Sequence, residues 1–171
     1  KTSIEGAEDD LAQAILDLKA INLNSNDSLI GITASGNTPY VLSAIEYANK
    51  IGALSIGLCC KGSNSSIFDN KDIAPDLTST DEPINKTKSP KICKLANYNI
   101  MPDIGPEVIT GSTRLKSGTA CKMILNMISN AVMIKLGKVY NNEMVDCQPA
   151  NTKLKKRHID ILARIISVNR P

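Results

Sequence analysis

The stretch Leu29-Ile-Gly-Ile-Thr-Ala-Ser-Gly-Asn-Thr-Pro-Tyr40 decides the fold of this 171-residue chain. A run of mostly β-prone residues is followed by small polar residues and then by Thr38-Pro39, an order that predicts a buried strand, a tight loop and a helix start. Thr38 is the expected N-cap, and Pro39 is the expected first helical residue, where a missing N–H has no cost. The stretch therefore predicts a strand–loop–helix unit.

The loop in front of this helix is suited to an anion, because orphan N–H groups and the helix dipole both favour negative charge there. Ser35 and Thr38 would add O–H donors, and Gly36 would let the backbone approach a ligand closely. The same residue types are also common in turns for local conformational reasons. From the loop alone, anion binding and ordinary turn chemistry are equally favoured.

The residues around this loop predict a parallel α/β fold. A strand at 28–33, a helix at 39–50 that ends before Gly52, and an apolar strand at 53–60 form a βαβ unit. A short strand follows at 97–101. Apolar spacing predicts three further helices, at 7–21, at 115–136 and at 153–168. The helix at 115–136 is expected to be largely buried. We therefore expect one domain with a parallel sheet and flanking helices.

Residues from about 61 to 96 differ in composition from the rest of the chain. They are rich in Ser, Asn, Asp, Lys and Pro and poor in large apolar side chains. This composition predicts an inserted, mobile surface loop, to which we assign no function.

Composition excludes several classes of protein. With 42% hydrophobic residues the chain can form a real core, and its 20 basic and 17 acidic residues are not gathered into long blocks. Five aromatic residues without a basic stripe argue against a dedicated nucleic-acid surface. No run of 18 apolar residues is present, and the polar start Lys1-Thr-Ser is not typical of a signal peptide, so no membrane association is expected.

The five cysteines contain no Cys-X-X-Cys pair, which makes a disulfide framework or a metal site unexpected. Cys59, Cys60 and Cys121 lie in apolar or helical contexts and are best interpreted as small core residues. A reducing, cytoplasmic setting fits this pattern.

A second loop at 105–120 also combines glycines with polar side chains. Ser112, Thr113, Arg114 and Lys116 lie among Gly105, Gly111 and Gly118. Two hydroxyls and two cations at a helix start would suit an anionic sugar, since Arg can donate two parallel N–H bonds. A helix N-cap with solvated basic residues is an equally good interpretation of the residues by themselves.

Four motifs together resemble a known family. Ser35-Gly-Asn-Thr38 after a strand resembles the phosphate cradle of sugar isomerase (SIS) domains, which bind phosphosugars. With Glu5-Gly-Ala-Glu-Asp9, the 105–120 stretch and Gly137–Asp146, the chain resembles the N-acetylmuramic acid 6-phosphate etherases, whose relatives include the glucokinase regulatory protein. The resemblance covers nearly the whole chain except about 61–96.

The resemblance implies a partial SIS-type domain over residues 1–171, corresponding to the C-terminal portion of that fold. It implies that Glu8 is a catalytic residue, although an acidic residue in a first helical turn is ordinarily explained by the helix dipole. Thr113 and Leu115 stand where the family usually has Ser and Met, which are conservative changes. The implied phosphate- and substrate-binding residues are Glu5, Ser35, Gly36, Asn37, Thr38, Ser112, Thr113 and Arg114.

The leading functional hypothesis from the resemblance is a carbon–oxygen lyase that cleaves the lactyl ether of N-acetylmuramic acid 6-phosphate. This chemistry needs a base, an acid and a phosphate anchor, and it requires no cofactor or metal. The alternative is a non-catalytic phosphosugar-sensing regulator that resembles the glucokinase regulatory protein. A weaker third hypothesis is an aldose–ketose isomerase.

The SIS fold begins with a strand and a glycine-rich loop before the cradle, and the etherases place a second catalytic glutamate there. Neither precedes Lys1. The chain is therefore expected to be a fragment, to receive this half from another chain, or to lack activity, and its start inside a motif favours the first. The apolar stripe of the last helix favours a partner subunit, so we expect a homodimer.

Overall fold

The computed structural model describes residue 4, residues 6–63 and residues 89–168. The chain divides into two compact units, Lys1–Met123 and Ile124–Pro171. The first unit contains a 3-10 turn at Ala7–Asp9, α1 at Leu11–Ala20, β1 at Ser28–Ile32, α2 at Pro39–Lys50, β2 at Leu54–Leu58, α3 at Lys91–Leu95, β3 at Tyr98–Ile100 and the start of α4, which spans Lys116–Lys135. The second unit contains the rest of α4, β4 at Val139–Tyr140, β5 at Glu143–Met144 and α5 at Thr152–Val168.

The first unit is built on a three-stranded parallel sheet with the order β1-β2-β3. Ile32 pairs with Leu58, and Leu58 pairs in turn with Ile100, so the three strands end at the same level. Parallel pairing with a helix between the strands confirms the predicted α/β class. The loops that follow the strands consequently leave from one edge of the sheet.

Helix α2 has the predicted bounds and lies close to the sheet. Ile45 on its inner face is fully buried and clusters with Cys59 of the β2 end and Ile92 of α3. Gly31 of β1 has no side chain at this contact, since a Cβ there would come within 2.9 Å of Val41 Cγ1. The close approach of helix and strand thus depends on a glycine in the strand.

Helix α1 packs against the other side of α2 through a small cluster formed by Ala14, Leu18 and Ala44. Tyr40 donates a 2.6 Å hydrogen bond to Asp17 at the edge of this contact. This bond lowers the pKa of Asp17 and raises the pKa of Tyr40, because it favours the carboxylate and the protonated phenol.

Helix α1 is shorter than predicted, and its acidic start is organised differently. Glu8 and Asp9 lie in the separate 3-10 turn, whereas Asp10 is the N-cap and accepts a 2.9 Å hydrogen bond from Gln13 N–H. The prediction of one helix from residue 7, with Glu8 in its first turn, is therefore wrong. A side-chain acceptor that satisfies an orphan amide fixes the helix start at Leu11 instead.

The segment predicted as a loop at 61–96 ends in a helix. Helix α3 carries the fully buried Ile92, and Asn49 Nδ2 donates to Leu95 O at 2.8 Å, which ties its end to α2. Five residues are too few for a periodic apolar pattern, which explains why composition alone indicated a loop. Residues 64–88 of that prediction lie outside the described residues.

A buried polar network links the strand β2 to the start of β3. The Ser55 hydroxyl donates to Asn49 Oδ1 at 2.6 Å, and Ser55 N–H donates to Asn97 Oδ1 at 2.9 Å. Asn97 N–H donates back to Ser55 Oγ at 3.0 Å. Ser55 is fully buried, so these bonds compensate the desolvation of its hydroxyl.

In the second unit, β4 and β5 form an antiparallel hairpin. Asn141 adopts a positive φ of 53°, as hairpin turns require. Arg164 of α5 donates to Glu143 Oε1 at 2.7 Å, and Asn151 Oδ1 caps α5 by accepting from Leu154 N–H at 2.9 Å.

The prediction that α4 is largely buried is wrong for the described residues. Of its residues only Ser117 is buried, and Met127 is 66% exposed. Ile161 of α5 is buried, whereas Ile159 and Leu162 are exposed. An apolar pattern shows that a helix face favours burial, but it does not show what covers that face.

None of the described helices combines the length and apolar character that crossing a bilayer requires.

Replacement of Ile45 by Ala should lower the free energy of unfolding by about 2 to 5 kcal/mol, because it leaves a cavity between α2, β2 and α3. Ile21→Ala, at a side chain that is 70% exposed, is the matched control and should change it by less than about 0.5 kcal/mol. Urea titrations followed by circular dichroism would measure both. Equal effects of the two substitutions would contradict this packing.

Candidate functional site

The first candidate loop connects β1 to α2 and is fixed to the end of β2. Thr33 N–H donates to Leu58 O and Cys60 N–H donates to Ala34 O, both at 3.0 Å. Gly36 N–H donates to Thr33 O at 3.1 Å and closes the turn. The loop is thus held mainly by backbone bonds, to which Asn37 N–H adds one by donating to Ser35 Oγ at 3.2 Å.

The N-terminus of α2 is open. Thr38 is the N-cap, as predicted, but its side chain makes no capping bond, and Pro39 has no N–H. The amides of Tyr40 and Val41 donate to no other described residue. Two orphan amides therefore remain at the positive end of the helix dipole.

Three hydroxyls cluster beside these amides. A hydrogen bond of 2.7 Å joins Thr33 Oγ1 and Thr38 Oγ1, and Thr33 Oγ1 lies 3.4 Å from Ser35 Oγ. Thr33 is buried, whereas Ser35 and Thr38 are half-buried. Sequence reasoning named Ser35 and Thr38 but missed Thr33, which it assigned to the strand.

The Asn37 side chain bonds to two backbone groups of the protein. Its Nδ2 donates to Ser35 O at 3.0 Å and its Oδ1 accepts from Lys91 N–H at 3.2 Å. The side chain therefore braces the loop against the start of α3.

Gly36 is required at the tip of this loop. Its φ is +72°, and a Cβ would lie 2.4 Å from Pro90 Cβ. Its carbonyl accepts from Ile92 N–H at 3.0 Å. The start of α3 passes so closely behind the loop that only a residue without a side chain fits.

The second candidate loop is closed at its base by Glu107, which is fully buried. Its Oε2 accepts from Lys116 N–H at 2.9 Å, and its Oε1 accepts from Ser117 N–H at 2.9 Å and from Ser117 Oγ at 2.7 Å. The carboxylate thus occupies the amides at the start of α4. Sequence reasoning missed this role because a cap ten residues upstream has no local signature.

Burial raises the pKa of Glu107, but the opposing effects are larger in sum. Hydrogen bonds from the Ser117 hydroxyl and from the Ser117 and Lys116 amides, with the Lys116 charge, lower the pKa of this carboxyl below its usual value. Glu107 therefore stays ionised, as a carboxylate that accepts several N–H bonds should.

The predicted ligand residues lie outside this base, and Ser112 and Thr113 are half-buried. The side chains of Ser112, Thr113 and Arg114 make no hydrogen bond or ion pair with another described residue, and Arg114 is exposed. Lys116 Nζ instead donates to Ile104 O at 2.6 Å. Of the two cations that the sequence placed here, Arg114 is the one available to a ligand.

The two loops meet at the end of β2. Cys60 donates its amide to Ala34 O in the first loop, and its thiol contacts Ser117 O at the base of the second at 3.9 Å. Ser63 Oγ donates to Ala34 O at 3.2 Å. The structure therefore brings both predicted loops to one edge of the sheet, where parallel α/β proteins bind ligands.

The cysteines beside the loops are free. Burial, together with the neighbouring thiols of Cys93 and Cys121, raises the pKa of Cys59 to about 12 and the pKa of Cys60 to about 11. Cys59 and Cys60 are buried, which confirms them as core residues, whereas Cys121 is only partly buried. The described residues contain no cluster of side chains that could hold a metal ion.

Glu8 lies in the 3-10 turn that precedes α1. It is exposed in the 3-10 turn and makes no hydrogen bond or ion pair with another described residue. The nearby Leu11 O accepts from Ser43 Oγ at 2.8 Å, so the start of α1 lies against the second turn of α2. Glu5 lies outside the described residues.

Comparison with known proteins identifies several etherases that are similar to this chain. The N-acetylmuramic acid 6-phosphate etherase of Mycoplasma mycoides subsp. mycoides SC is 47% identical over 167 residues, which are 98% of this chain and 47% of that protein. The enzyme of the same name from Clostridium beijerinckii is 46% identical over 165 residues, 96% of this chain and 46% of that protein. This chain is a relative of the etherases.

A third etherase, from Clostridium botulinum strain Eklund 17B, is 48% identical over 159 residues, 93% of this chain and 44% of that protein. The chain spans about half the length of the curated relatives it matches. No family model matches it. The resemblance to the etherases that the motifs indicated is confirmed.

Gly36→Ala should destabilise the first unit, because it combines a left-handed backbone with the clash against Pro90. Gly111→Ala is the matched control, since Gly111 has a φ of +79° and nothing within 4 Å of a Cβ. We expect about 1 to 2 kcal/mol for the control and a larger loss for Gly36→Ala in urea unfolding. Equal losses would show that α3 does not constrain the loop.

Proposed function

We propose that this chain forms the phosphosugar-binding part of a carbon–oxygen lyase, an N-acetylmuramic acid 6-phosphate etherase. The reaction cleaves the lactyl ether of N-acetylmuramic acid 6-phosphate, with water, to N-acetylglucosamine 6-phosphate and lactate. The etherase relatives favour this function over the regulatory alternative. The observation that carries it is the open N-terminus of α2, with hydroxyls beside two unpaired amides.

The phosphate would bind at this helix terminus. The Tyr40 and Val41 amides would donate to its oxygens, and the hydroxyls of Ser35 and Thr38 would add donors. Gly36 would allow close approach of the backbone, while Asn37 would hold the loop in shape. A dianion gains from the helix dipole by up to about 2 kcal/mol in a partly buried position.

The sugar would extend from the phosphate towards the second loop. Ser112 and Thr113 would hydrogen bond to sugar oxygens, and Arg114 would bind the carboxylate of the lactyl group or a ring oxygen through its fork of N–H donors. The shared contact of both loops with Cys60 supports this arrangement, because it places the two loops next to each other.

Glu8 would act as the base that removes the C2 proton of the open-chain sugar, and an acid would protonate the ether oxygen, so that the C3–oxygen bond breaks and lactate leaves. Water then adds to C3 and a proton returns to C2. Glu5 would contact the substrate from the same motif. Support for Glu8 comes from its position in the motif shared with the etherases, and its carboxylate is unpaired among the described residues.

We further propose that the parallel sheet is part of an SIS-type domain and that the protein is a cytoplasmic homodimer. The sheet order and the helix between β1 and β2 are compatible with that fold. Exposed apolar side chains in the second unit, such as Ile159 and Leu162, favour a partner subunit. Five free cysteines favour a reducing compartment.

Ser35→Ala should weaken the binding of N-acetylglucosamine 6-phosphate by about 5- to 150-fold, the equivalent of about 1 to 3 kcal/mol for a lost donor to a charged group. Ser28→Ala, at an exposed serine at the start of β1, is the control and should bind as the wild type does. Isothermal titration calorimetry would measure both. Unchanged affinity in Ser35→Ala would remove this loop from the phosphate site.

Glu8→Gln in the full-length protein should retain phosphosugar binding but slow exchange of the C2 proton with solvent deuterium by about 100- to 10,000-fold, as expected for loss of a general base. NMR of the product sugar in deuterated water would measure this exchange. Asp9→Asn, a neighbouring carboxylate in the same 3-10 turn, should exchange at the wild-type rate. Wild-type exchange in Glu8→Gln would exclude Glu8 as the base.

A further inference from the structure

Side-chain hydrogen bonds hold the loop between Glu107 and Ser117 at its base, and backbone bonds such as Gly118 N–H to Thr113 O at 3.0 Å hold the rest. Glu107 bonds to the amides of Lys116 and Ser117 and to the Ser117 hydroxyl. The Lys116 side chain bonds to Ile104 O, which adds a second tie at the same place. The side chains of residues 112–114, on the intervening part, have no such ties among the described residues.

Glu107 fills the position at the start of α4 that an external anion would otherwise occupy. Orphan amides and the dipole attract negative charge to a helix N-terminus, and here a carboxylate of the protein supplies it. At the start of α2 the corresponding amides, of Tyr40 and Val41, have no acceptor among the described residues. The two helix termini at this sheet edge therefore differ, one being occupied and one open.

A buried carboxylate is stable only while its donors surround it. Glu107 is fully buried, and its three hydrogen bonds exist only when the loop returns to the start of α4. The ionised side chain and the closed shape of the loop consequently stabilise each other. Loss of the charge should loosen the loop rather than the sheet beneath it.

We propose that Glu107 is a positioning residue of the phosphosugar site. Its carboxylate shapes the loop that carries Ser112, Thr113 and Arg114. It also occupies the start of α4, so that phosphate binds at the open N-terminus of α2 instead. This inference rests on the proposed function. The start of α4 then offers no free amide among the described residues to a second anion.

Glu107→Gln is the decisive variant, because the amide keeps the shape of the side chain but turns an N–H donor towards another N–H. Amides of residues 108–117 should exchange with deuterium about tenfold faster or more, whereas those of 29–41 should be unchanged, by mass spectrometry. Glu46→Gln, at an exposed carboxylate of α2, is the control and should exchange as the wild type does.

Binding gives a second readout that a general loss of stability would not produce. Glu107→Gln should bind inorganic phosphate within about twofold of the wild type, because its site on α2 is intact, yet bind N-acetylglucosamine 6-phosphate about tenfold more weakly. Ser35→Ala should weaken both ligands. Ser117→Ala removes one of the three bonds to Glu107 and should shift exchange and sugar-phosphate binding in the same direction by less.

Unchanged loop exchange in Glu107→Gln would overturn the proposal, as would equal losses of affinity for phosphate and sugar phosphate. If Glu107→Gln does not fold, Ser117→Ala decides by the same two criteria. Wild-type protein that binds no sugar phosphate, together with faster loop exchange in Glu107→Gln, would overturn the proposed function and leave Glu107 as the residue that positions the loop.

Discussion

The parallel alignment of β2 between β1 and β3 is the constraint on which both candidate loops depend. Because Ile32, Leu58 and Ile100 share one level, the residues that follow each strand emerge together. Cys60 then connects the loops directly, through its amide to Ala34 and its thiol to Ser117. A shift of one strand by two residues would separate the loops by more than 6 Å and remove any shared ligand.

The N-termini of α4 and α2, which lie at this edge of the sheet, differ in how their positive partial charge is compensated. The start of α4 is neutralised from within by a buried carboxylate, whereas the start of α2 offers amides and hydroxyls. The second arrangement costs little in the absence of ligand, because the N-terminal groups of α2 are not fully buried and water can reach them. An internal anion at one terminus and an open terminus beside it together define where a single phosphate would bind.

Local chemistry allowed much of this to be predicted from the sequence. Thr38-Pro39 set the start of α2, and the apolar runs around it gave β1 and β2 to within three residues. Features that depend on distant partners were not predictable. Glu107 caps a helix that begins nine residues later, and the Lys91–Leu95 helix is fixed by contacts to α2 and the first loop. The exposure of α4 was not predicted for the same reason, because apolar spacing identifies an apolar helix face but not the element that packs against it.

The corrected start of α1 changes the chemical argument about Glu8. In the first turn of a helix, the dipole would stabilise its carboxylate and oppose its use as a base for a weak carbon acid. Asp10 takes that position instead, as the N-cap that accepts from Gln13. Glu8 stands outside the helix in a 3-10 turn, exposed and unpaired among the described residues. In the proposed reaction, the substrate or another part of the protein must therefore shield the Glu8 carboxylate from water. Phosphate binding at α2 would supply the free energy that holds the sugar beside Glu8.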